Sequence, residues 1–319
     1  MHPIMQDIKK SQKTVPCLFY PAILRNGLTV KEVLNDAQKQ AEILQLIAQQ
    51  YPVGAVIRMS ELWCEAKAFG VDCTFSANGF PTLGNPLCEE AEELNELEIP
   101  SIDNETLTVM LEAVQLSAGK LHCPLIAGIT GPYTLGTVLC GSEDFMMACM
   151  TEEEETAEFM QKLCDFLIAY AKAYKQAGAN GIMIAEPTTS MISPAMMSEF
   201  SNQYISRIID AVQDDSFAVI YHNCGAVNPH LQTIAELPAA AFHFGSEVDL
   251  ARARTYIASD VPIMGNLDPR LMLHATPESI FASMQTLKET YRNLENWILS
   301  TGCDLAPKVS EENLTAFFA

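Results

Sequence analysis

The stretch Phe217-Ala218-Val219-Ile220-Tyr221-His222-Asn223-Cys224 carries a strand signal and two candidate metal ligands. Its first five residues are aromatic or β-branched apart from one alanine, and they follow a polar turn, a pattern typical of a buried strand. His222 and Cys224 stand two residues apart around its carboxyl end, and side chains at i and i+2 of a strand point to the same side. The sequence therefore predicts a buried strand whose end presents an imidazole and a thiol together.

Similar apolar runs recur along the chain and alternate with segments of helical periodicity. Seven further runs are found at 53–57, 71–75, 124–129, 181–184, 239–244, 262–264 and 297–299. Eight strands alternating with helices predict an α/β fold, a single (β/α)8 TIM barrel. In such a barrel the functional groups lie at the carboxyl ends of the strands, so a site is expected where the run 217–221 ends.

The connection between the second and third predicted strands is longer than a usual βα connection. Residues 77–120 include an acidic stretch at 89–98. We predict an elaborated loop with a helix here, which would be a candidate lid or specificity element.

Helix boundaries are also visible in the sequence. Thr29 and Glu32 have the spacing of a capping box, ahead of an apolar stripe that runs to Ala48. A long helix is predicted to begin near Thr151 and to end at Gly178.

Length and composition bound the class of protein. With 319 residues and no linker-like tract, one domain over 1–319 is predicted, in which residues 1–50 form an N-terminal extension and helix. A formal net charge of −21 argues against binding to nucleic acid or to an anionic membrane. The ten cysteines lack paired spacing, residues 1–13 contain no apolar core of a signal peptide, and no apolar stretch is long enough to cross a bilayer. We expect a cytoplasmic protein with reduced thiols, as a monomer or a homodimer.

Polar residues follow five of the eight predicted strands. They are Glu186, His222 with Cys224, His243, Asn266 with Asp268, and Cys303. One imidazole and two thiolates from His222, Cys224 and Cys303 would make a three-ligand zinc site with an open fourth position, as in catalytic zinc centres. Taken singly, a cysteine is more often core filling and a histidine a hydrogen-bonded core residue. Their shared placement at strand ends favours the metal site.

Short motifs along the chain match those of a known family in the same order. They are Gly131-Pro-Tyr-Thr-Leu135, Ala177-Gly-Ala-Asn-Gly-Ile182, Glu186-Pro187, Ser193-Pro194, His222-Asn-Cys-Gly225, Val248-Asp-Leu250, Gly265-Asn-Leu-Asp-Pro269, Ser300-Thr-Gly-Cys-Asp304 and Glu312-Asn-Leu314. On these motifs the chain resembles the uroporphyrinogen decarboxylase superfamily over about residues 50–319. Within that superfamily it is most similar to the zinc-dependent methylcobamide:coenzyme M methyltransferases and their bacterial relatives.

The decarboxylase branch of the superfamily is the poorer match. Its members bind a porphyrinogen with paired N-terminal arginines and the aspartate of a Phe-Ser-Asp motif, whereas this chain has only Arg25 and reads Phe75-Ser76-Ala77. The tyrosine that follows the Gly-Pro-x-Thr-Leu motif is replaced by Val138, and the histidine of a C-terminal Gly-His by Cys303. Decarboxylation is therefore an alternative function, beside that of a non-catalytic zinc- or corrinoid-binding accessory protein.

The methyltransferase branch holds zinc with a His-x-Cys pair and a distant Cys, which the resemblance places at His222, Cys224 and Cys303. Zinc in such a site binds the acceptor thiol and keeps it as a thiolate near neutral pH. The thiolate then takes a methyl group from a methylcobamide. The resemblance thus implies a corrinoid-dependent methyltransferase with Zn²⁺, a corrinoid protein as partner, and a small thiol such as coenzyme M or homocysteine as acceptor.

Several strand-end residues have more than one predicted role. Tyr133, Asn223, Asn266 and Asp268 are candidate substrate contacts, although a turn would use Asn266 and Asp268 equally well. Glu186 is a candidate catalytic residue, or one that orients a metal-bound group.

The fourth zinc ligand is left open by the sequence. In related methyltransferases an acidic residue is expected shortly before the Val-Asp-Leu motif, where this chain has Gly245. The remaining candidates are water, the substrate, Glu186, His243 and Glu247.

Overall fold

Seven parallel strands form the main sheet in a computed structural model that describes residues 1–59, 62–88 and 91–319, without the side chains of residues 91 and 92. With those of a smaller second sheet, the strands of the described residues are β1 Val56–Arg58, β2 Cys73–Thr74, β3 Thr82–Leu83, β4 Leu125–Thr130, β5 Gly181–Ala185, β6 Ala218–Asn223, β7 Ala241–Phe244, β8 Ile263–Leu267 and β9 Trp297–Thr301. The main sheet has the order β1-β4-β5-β6-β7-β8-β9 with every neighbouring pair parallel. β2 and β3 form a separate antiparallel pair.

Four helices precede β1, and further helices alternate with the later strands. They are α1 Pro3–Lys10, α2 Phe19–Arg25, α3 Val30–Leu34, α4 Ala37–Gln50, α5 Trp63–Phe69, α6 Glu105–Ser117, α7 Pro132–Cys140, α8 Ser142–Thr151, α9 Glu153–Ala177, α10 Pro194–Met197, α11 Gln203–Val212, α12 Leu231–Ile234, α13 Leu250–Arg254, α14 Pro269–His274, α15 Pro277–Thr290 and α16 Glu311–Phe318. Short 3-10 segments lie at Ala91–Glu96, Pro187–Met191 and Asn228–His230, and a π-helical turn at Ser198–Asn202. Within the described ranges, no helix has the length and apolar character needed to cross a membrane.

The N-terminal segment closes the barrel. Thr14 forms a parallel bridge with Val53, and its carbonyl accepts a hydrogen bond from the amide of Gly54 at 2.8 Å. On the other side, the amide of Val15 donates to the carbonyl of Leu299 at 3.0 Å. Residues 14 and 15 therefore lie between β9 and the chain that leads into β1, in the place of an eighth strand. The predicted TIM barrel is confirmed.

The prediction of a barrel strand at 71–75 is wrong. Cys73–Thr74 pairs instead with Thr82–Leu83, away from the main sheet, and Thr74 is exposed. Asp72 and Thr74 alternate with apolar residues in this run, and such alternation suits a surface hairpin, because TIM-barrel strands are covered on both faces. The eighth position belongs to residues 14 and 15, which open an apolar run that Pro16 interrupts and that continues into α2.

The elaborated connection lies between β1 and β4, which are the second and third barrel strands when residues 14 and 15 count as the first. It contains α5, the β2–β3 hairpin, the 3-10 segment and α6. The amide of Leu87 donates to the carbonyl of Leu139 at 2.7 Å, so the connection packs against the end of α7. Glu89 and Glu90, at the start of the acidic stretch, lie outside the described residues.

The predicted helix boundaries are confirmed with one change. Thr29 and Glu32 form the capping box at the start of α3. The apolar stripe that follows is divided between two helices, because the side chain of Asp36 accepts a hydrogen bond from the Lys39 amide and starts α4 as a new N-cap. The long helix α9 ends where predicted, with Gly178 in the left-handed conformation at φ +97°.

The barrel interior changes from apolar to polar toward the carboxyl ends of its strands. Ile220, Ala241 and Ile298, on β6, β7 and β9, belong to one buried apolar cluster. Because side chains alternate along a strand, the residues two positions further on face the same interior. These residues are His222, His243 and Ser300, and all three are buried.

Candidate metal centre

Three side chains converge where β6 and β9 end. His222 is the second-to-last residue of β6, Cys224 follows that strand, and Cys303 follows β9. Their candidate ligand atoms all lie within 4.8 Å of one another, and Cys303 Sγ is 3.7 Å from His222 Nε2. In the described part of the chain, no second group of three His, Cys, Asp or Glu side chains converges in this way. The structure thus brings together the three residues predicted to hold zinc.

Two glycines allow the two thiols to approach. A Cβ atom at Gly245 would lie 2.6 Å from the Cα and carbonyl oxygen of Cys224, and one at Gly302 would lie 2.8 Å from the amide of Ser246. The chain segments after β6, β7 and β9 are therefore packed backbone against backbone. Without these close contacts, Cys303 could not reach the end of β6.

Gly245 also explains the missing acidic residue. Any side chain at this position would displace the backbone of Cys224. The close packing at position 245 therefore leaves no room for a carboxylate side chain.

His243 lies beside His222 rather than facing the thiols. The two residues are register partners on β6 and β7, and their Nδ1 atoms are 2.7 Å apart. His243 Nε2 lies 2.8 Å from Ser300 Oγ, so both ring nitrogens of His243 have hydrogen-bond partners. Burial, and next the adjoining His222, hold the pKa of His243 well below its ordinary value, so this ring is neutral.

A hydrogen bond links the two thiols. The pKa of Cys224 is lowered because the thiol of Cys303 hydrogen-bonds to it, although burial opposes this shift. The same hydrogen bond, together with burial, raises the pKa of Cys303. Cys224 is thus the first of the two to become a thiolate, the form in which cysteine binds metals.

The side chain of Glu186 is hydrogen-bonded to the first turn of α7. Its buried carboxylate accepts hydrogen bonds from the amides of Tyr133 and Thr134, each at 2.9 Å, and from Thr134 Oγ1 at 2.6 Å. Burial raises the pKa of Glu186 to about 7, although these hydrogen bonds oppose the shift. Gly131 makes room for this carboxylate, because a Cβ there would lie 2.2 Å from Glu186 Cγ. The described contacts of Glu186 are those of a residue that joins β5 to a helix terminus.

Two predicted substrate contacts, Asn223 and Asn266, use their amides to hold neighbouring backbone. Asn223 Nδ2 donates to the carbonyl of Glu186, and its Oδ1 accepts from the amide of Gly225 at 2.9 Å. Asn266 Nδ2 donates to the carbonyls of Gly245 and Val248, at 2.9 and 2.8 Å. Asn223 thus stabilises the loop that carries Cys224, and Asn266 stabilises the loop after β7 that packs against it.

The other two predicted substrate contacts, Tyr133 and Asp268, differ from one another. Asp268 is the N-cap of α14 and accepts from the Arg270 amide at 2.8 Å. The hydroxyl of Tyr133 is buried and has no hydrogen-bond partner among the described residues. Of the four residues, Tyr133 has the polar atom most available for a ligand.

Glu247 is directed to the protein surface. Its side chain is 59% exposed and lies 3.9 Å from the guanidinium of Arg270. With His243 and Glu186 engaged elsewhere, water and the substrate are the two candidates for a fourth ligand that these contacts leave free.

Ser300 and Val15 belong to the same site and were not among the predicted site residues, although Ser300 opens one of the motifs quoted above. Ser300 Oγ donates to the carbonyl of Val15 at 2.6 Å, across a sequence separation of 285 residues. The position of Ser300, two residues after an inward-facing apolar residue of β9, could also have pointed to it.

The fold and the site define a TIM-barrel protein with one imidazole and two thiols gathered at the carboxyl ends of its strands. The family model described as Uroporphyrinogen decarboxylase (URO-D) matches residues 10–319. The chain therefore belongs to the uroporphyrinogen decarboxylase family, whose members are enzymes, either decarboxylases or methyltransferases.

Relatives from both branches are similar to this chain to the same degree. The uroporphyrinogen decarboxylase of Coxiella burnetii is 26% identical over 280 residues, which cover 84% of this chain and 76% of that protein. The methylcobamide:CoM methyltransferase MtbA of Methanosarcina mazei is 26% identical over 297 residues, which cover 91% and 85%. Overall identity therefore leaves the choice of reaction to the site residues.

A solved structure supports the fold over nearly the whole chain. A methyltransferase from Methanosarcina mazei superposes with a TM-score of 0.85 at 20% identity, covering 99% of this chain and 96% of that one. At this identity the likeness establishes the shared barrel.

Proposed function

We propose that this protein is a zinc-dependent methyltransferase that moves a methyl group from a methylcobamide on a corrinoid protein to a small thiol such as coenzyme M or homocysteine. The observation that carries the proposal is the convergence of His222, Cys224 and Cys303 within 4.8 Å. One imidazole and two thiolates with a fourth position for an exchangeable ligand is the donor set of catalytic zinc.

The residues present fit zinc. His222 directs Nε2 toward the thiol of Cys303, and the hydrogen bond from that thiol lowers the pKa of Cys224. Bound zinc would supply a Lewis acid that lowers the pKa of the acceptor thiol, of which only a few per cent is ionised at pH 7 in free solution.

The barrel contributes the position of the candidate metal ligands. Asn223 holds the loop that carries Cys224, and Asn266 holds the loop after β7, against whose Gly245 the backbone of Cys224 packs, so this part of the site is ordered before a substrate binds. In the reaction, the acceptor sulfur forms a bond to the methyl carbon while the cobalt–carbon bond breaks. The electron pair of that bond stays on cobalt, which leaves as cob(I)amide, and the second product is a methyl thioether.

Cys303 also distinguishes this proposal from decarboxylation. It stands where the decarboxylase pattern has a histidine, and Ala77 stands where that pattern has its aspartate. A decarboxylase of this fold would need no metal, whereas the structure gathers three soft donors at the barrel mouth.

Metal content and turnover together test the proposal. We expect about one zinc per chain in the wild-type protein and loss of zinc in His222→Ala and in Cys303→Ser. Cys123→Ser is the matched control, because Cys123 is a half-buried thiol before β4, at the opposite end of the strands. Methylcobalamin should be demethylated in the presence of one member of a thiol panel, with cob(I)alamin seen in the absorption spectrum.

Other outcomes would point to other functions. A metal-free protein that releases CO₂ from a carboxylated substrate would contradict the proposal in favour of the decarboxylase branch. A fourth protein ligand in a zinc site closed to thiols would favour an accessory role.

A further inference from the structure

The hydroxyl of Ser300 has two carbonyl acceptors within reach. Its Oγ lies 2.6 Å from the carbonyl oxygen of Val15 and 3.0 Å from that of Thr301. A hydroxyl has one proton to donate, and a carbonyl oxygen can only accept. The proton of Ser300 therefore points to a carbonyl, and toward His243 its oxygen acts as an acceptor.

This arrangement sets the tautomer of His243. His243 Nε2 lies 2.8 Å from Ser300 Oγ and must donate to it. The ring is fully buried, and its hydrogen-bond partners, His222, Ser300 and the backbone of Thr301, carry no negative charge, so an imidazolium would be an uncompensated buried charge. A neutral imidazole has one N–H, so His243 Nδ1 presents a lone pair.

The tautomer of His222 follows from that of His243. His222 Nδ1 lies 2.7 Å from His243 Nδ1 and 3.2 Å from the His243 carbonyl oxygen, which are both acceptors. Nδ1 of His222 therefore carries the proton. The lone pair of His222 is then on Nε2, the atom 3.7 Å from Cys303 Sγ.

We propose that Ser300 and His243 are positioning residues that hold His222 in its Nδ1–H tautomer, so that Nε2 is ready to bind metal between the two thiols. The chain of hydrogen bonds begins at the Val15 carbonyl, in the segment that closes the barrel. The inference rests on the proposed metal site, and it assigns to His243 a role other than that of a fourth ligand.

The tautomers can be read in the metal-free protein. With ¹⁵N-labelled histidine, two-bond ¹H–¹⁵N correlation spectra near pH 7.5 should show His222 protonated on Nδ1 and His243 on Nε2. Ser300→Ala removes the acceptor of His243 and should shift both rings toward a mixture of tautomers. A wild-type spectrum with His222 protonated on Nε2 would overturn the proposal.

Zinc affinity supplies a second readout, by competition with a chromophoric chelator. His243→Phe removes the nearer acceptor of His222 Nδ1–H, the ring nitrogen at 2.7 Å, and leaves the backbone carbonyl of residue 243 at 3.2 Å, so it should weaken zinc binding by about 10- to 100-fold. His243→Asn places a carbonyl oxygen near the position of Nδ1 and should restore most of that loss. His230→Phe is the control, since His230 is another buried imidazole, bonded to the carbonyl of Ile192.

These outcomes separate the two proposals. If the wild-type protein binds no zinc, the proposed function fails. If it binds zinc and His243→Phe binds equally well, the proposed function stands and the positioning role is wrong. If His243→Phe does not fold, the wild-type and Ser300→Ala spectra still decide the question.

Discussion

At the scale of single residues, two glycines determine whether the site can form. Gly245 and Gly302 have no side chain where a Cβ would meet backbone atoms within 2.8 Å. A contact of that kind cannot be relieved by rotating a side chain, so the backbone itself must move. The geometry of the thiols therefore depends on residues that offer no ligand.

Gly245→Ala should weaken zinc binding by at least about tenfold, because the new Cβ would push the backbone of Cys224 away from Cys303. Chelator competition measures this change. Gly79→Ala is the matched control, since the added Cβ would meet only Ser76 Oγ, the rotatable end of an exposed side chain. Unchanged affinity in Gly245→Ala would show that the close packing is not needed for the site.

Two of the three candidate ligands were predictable as neighbours because their spacing is local, whereas Cys303 was predicted from its position after another strand and from the family resemblance. His222 and Cys224 follow an apolar run whose strand period places them on one side. Ser300 was not predictable as a partner of His243, since its role depends on two carbonyl groups from distant parts of the chain. Sequence patterns report on neighbours along the chain, and these partners are neighbours only in space.

At the scale of elements, the barrel is completed by a segment that does not look like a strand. Residues 14 and 15 are followed by a proline and preceded by a lysine, yet they bridge to Val53 on one side and to Leu299 on the other. The run 71–75 has the stronger strand pattern and lies in a surface hairpin. Which segment joins the barrel is therefore decided by backbone pairing on both sides and not by the local strand propensity of the segment.

Val15→Pro tests the role of this segment. Proline has no amide hydrogen, so the buried carbonyl of Leu299 would lose its donor. Val15→Ala is the comparison variant, because it changes the same buried side chain and keeps the amide. Relative to Val15→Ala, we expect Val15→Pro to lower the free energy of unfolding by about 1–3 kcal/mol in urea titrations. Equal stability of the two variants would mean that the segment adds little to closure.

At the scale of the whole molecule, the proposed metal joins chain segments that are far apart in sequence. His222 and Cys303 are separated by 81 residues. A ligand that binds the folded state alone stabilises it by mass action. Zinc binding should therefore be visible in global unfolding as well as locally.

Zinc at about 100 times its Kd should raise the free energy of unfolding by about 2.7 kcal/mol, provided that the unfolded chain binds it weakly. Thermal denaturation of chelator-treated protein, with and without added zinc, measures this effect. Cys303→Ser should show little or no rise in Tm. A similar rise in that variant would place the stabilising metal elsewhere.

Closure of the barrel by residues 14 and 15 has a consequence for biosynthesis. These residues are synthesised before β9 and have no partner on that side until β9 has been made. Cys303 follows β9, so the three candidate zinc ligands can come together only after that strand has been made. Until then the nascent chain carries an open sheet edge, and the proposed zinc would bind only after the last strand has joined the sheet.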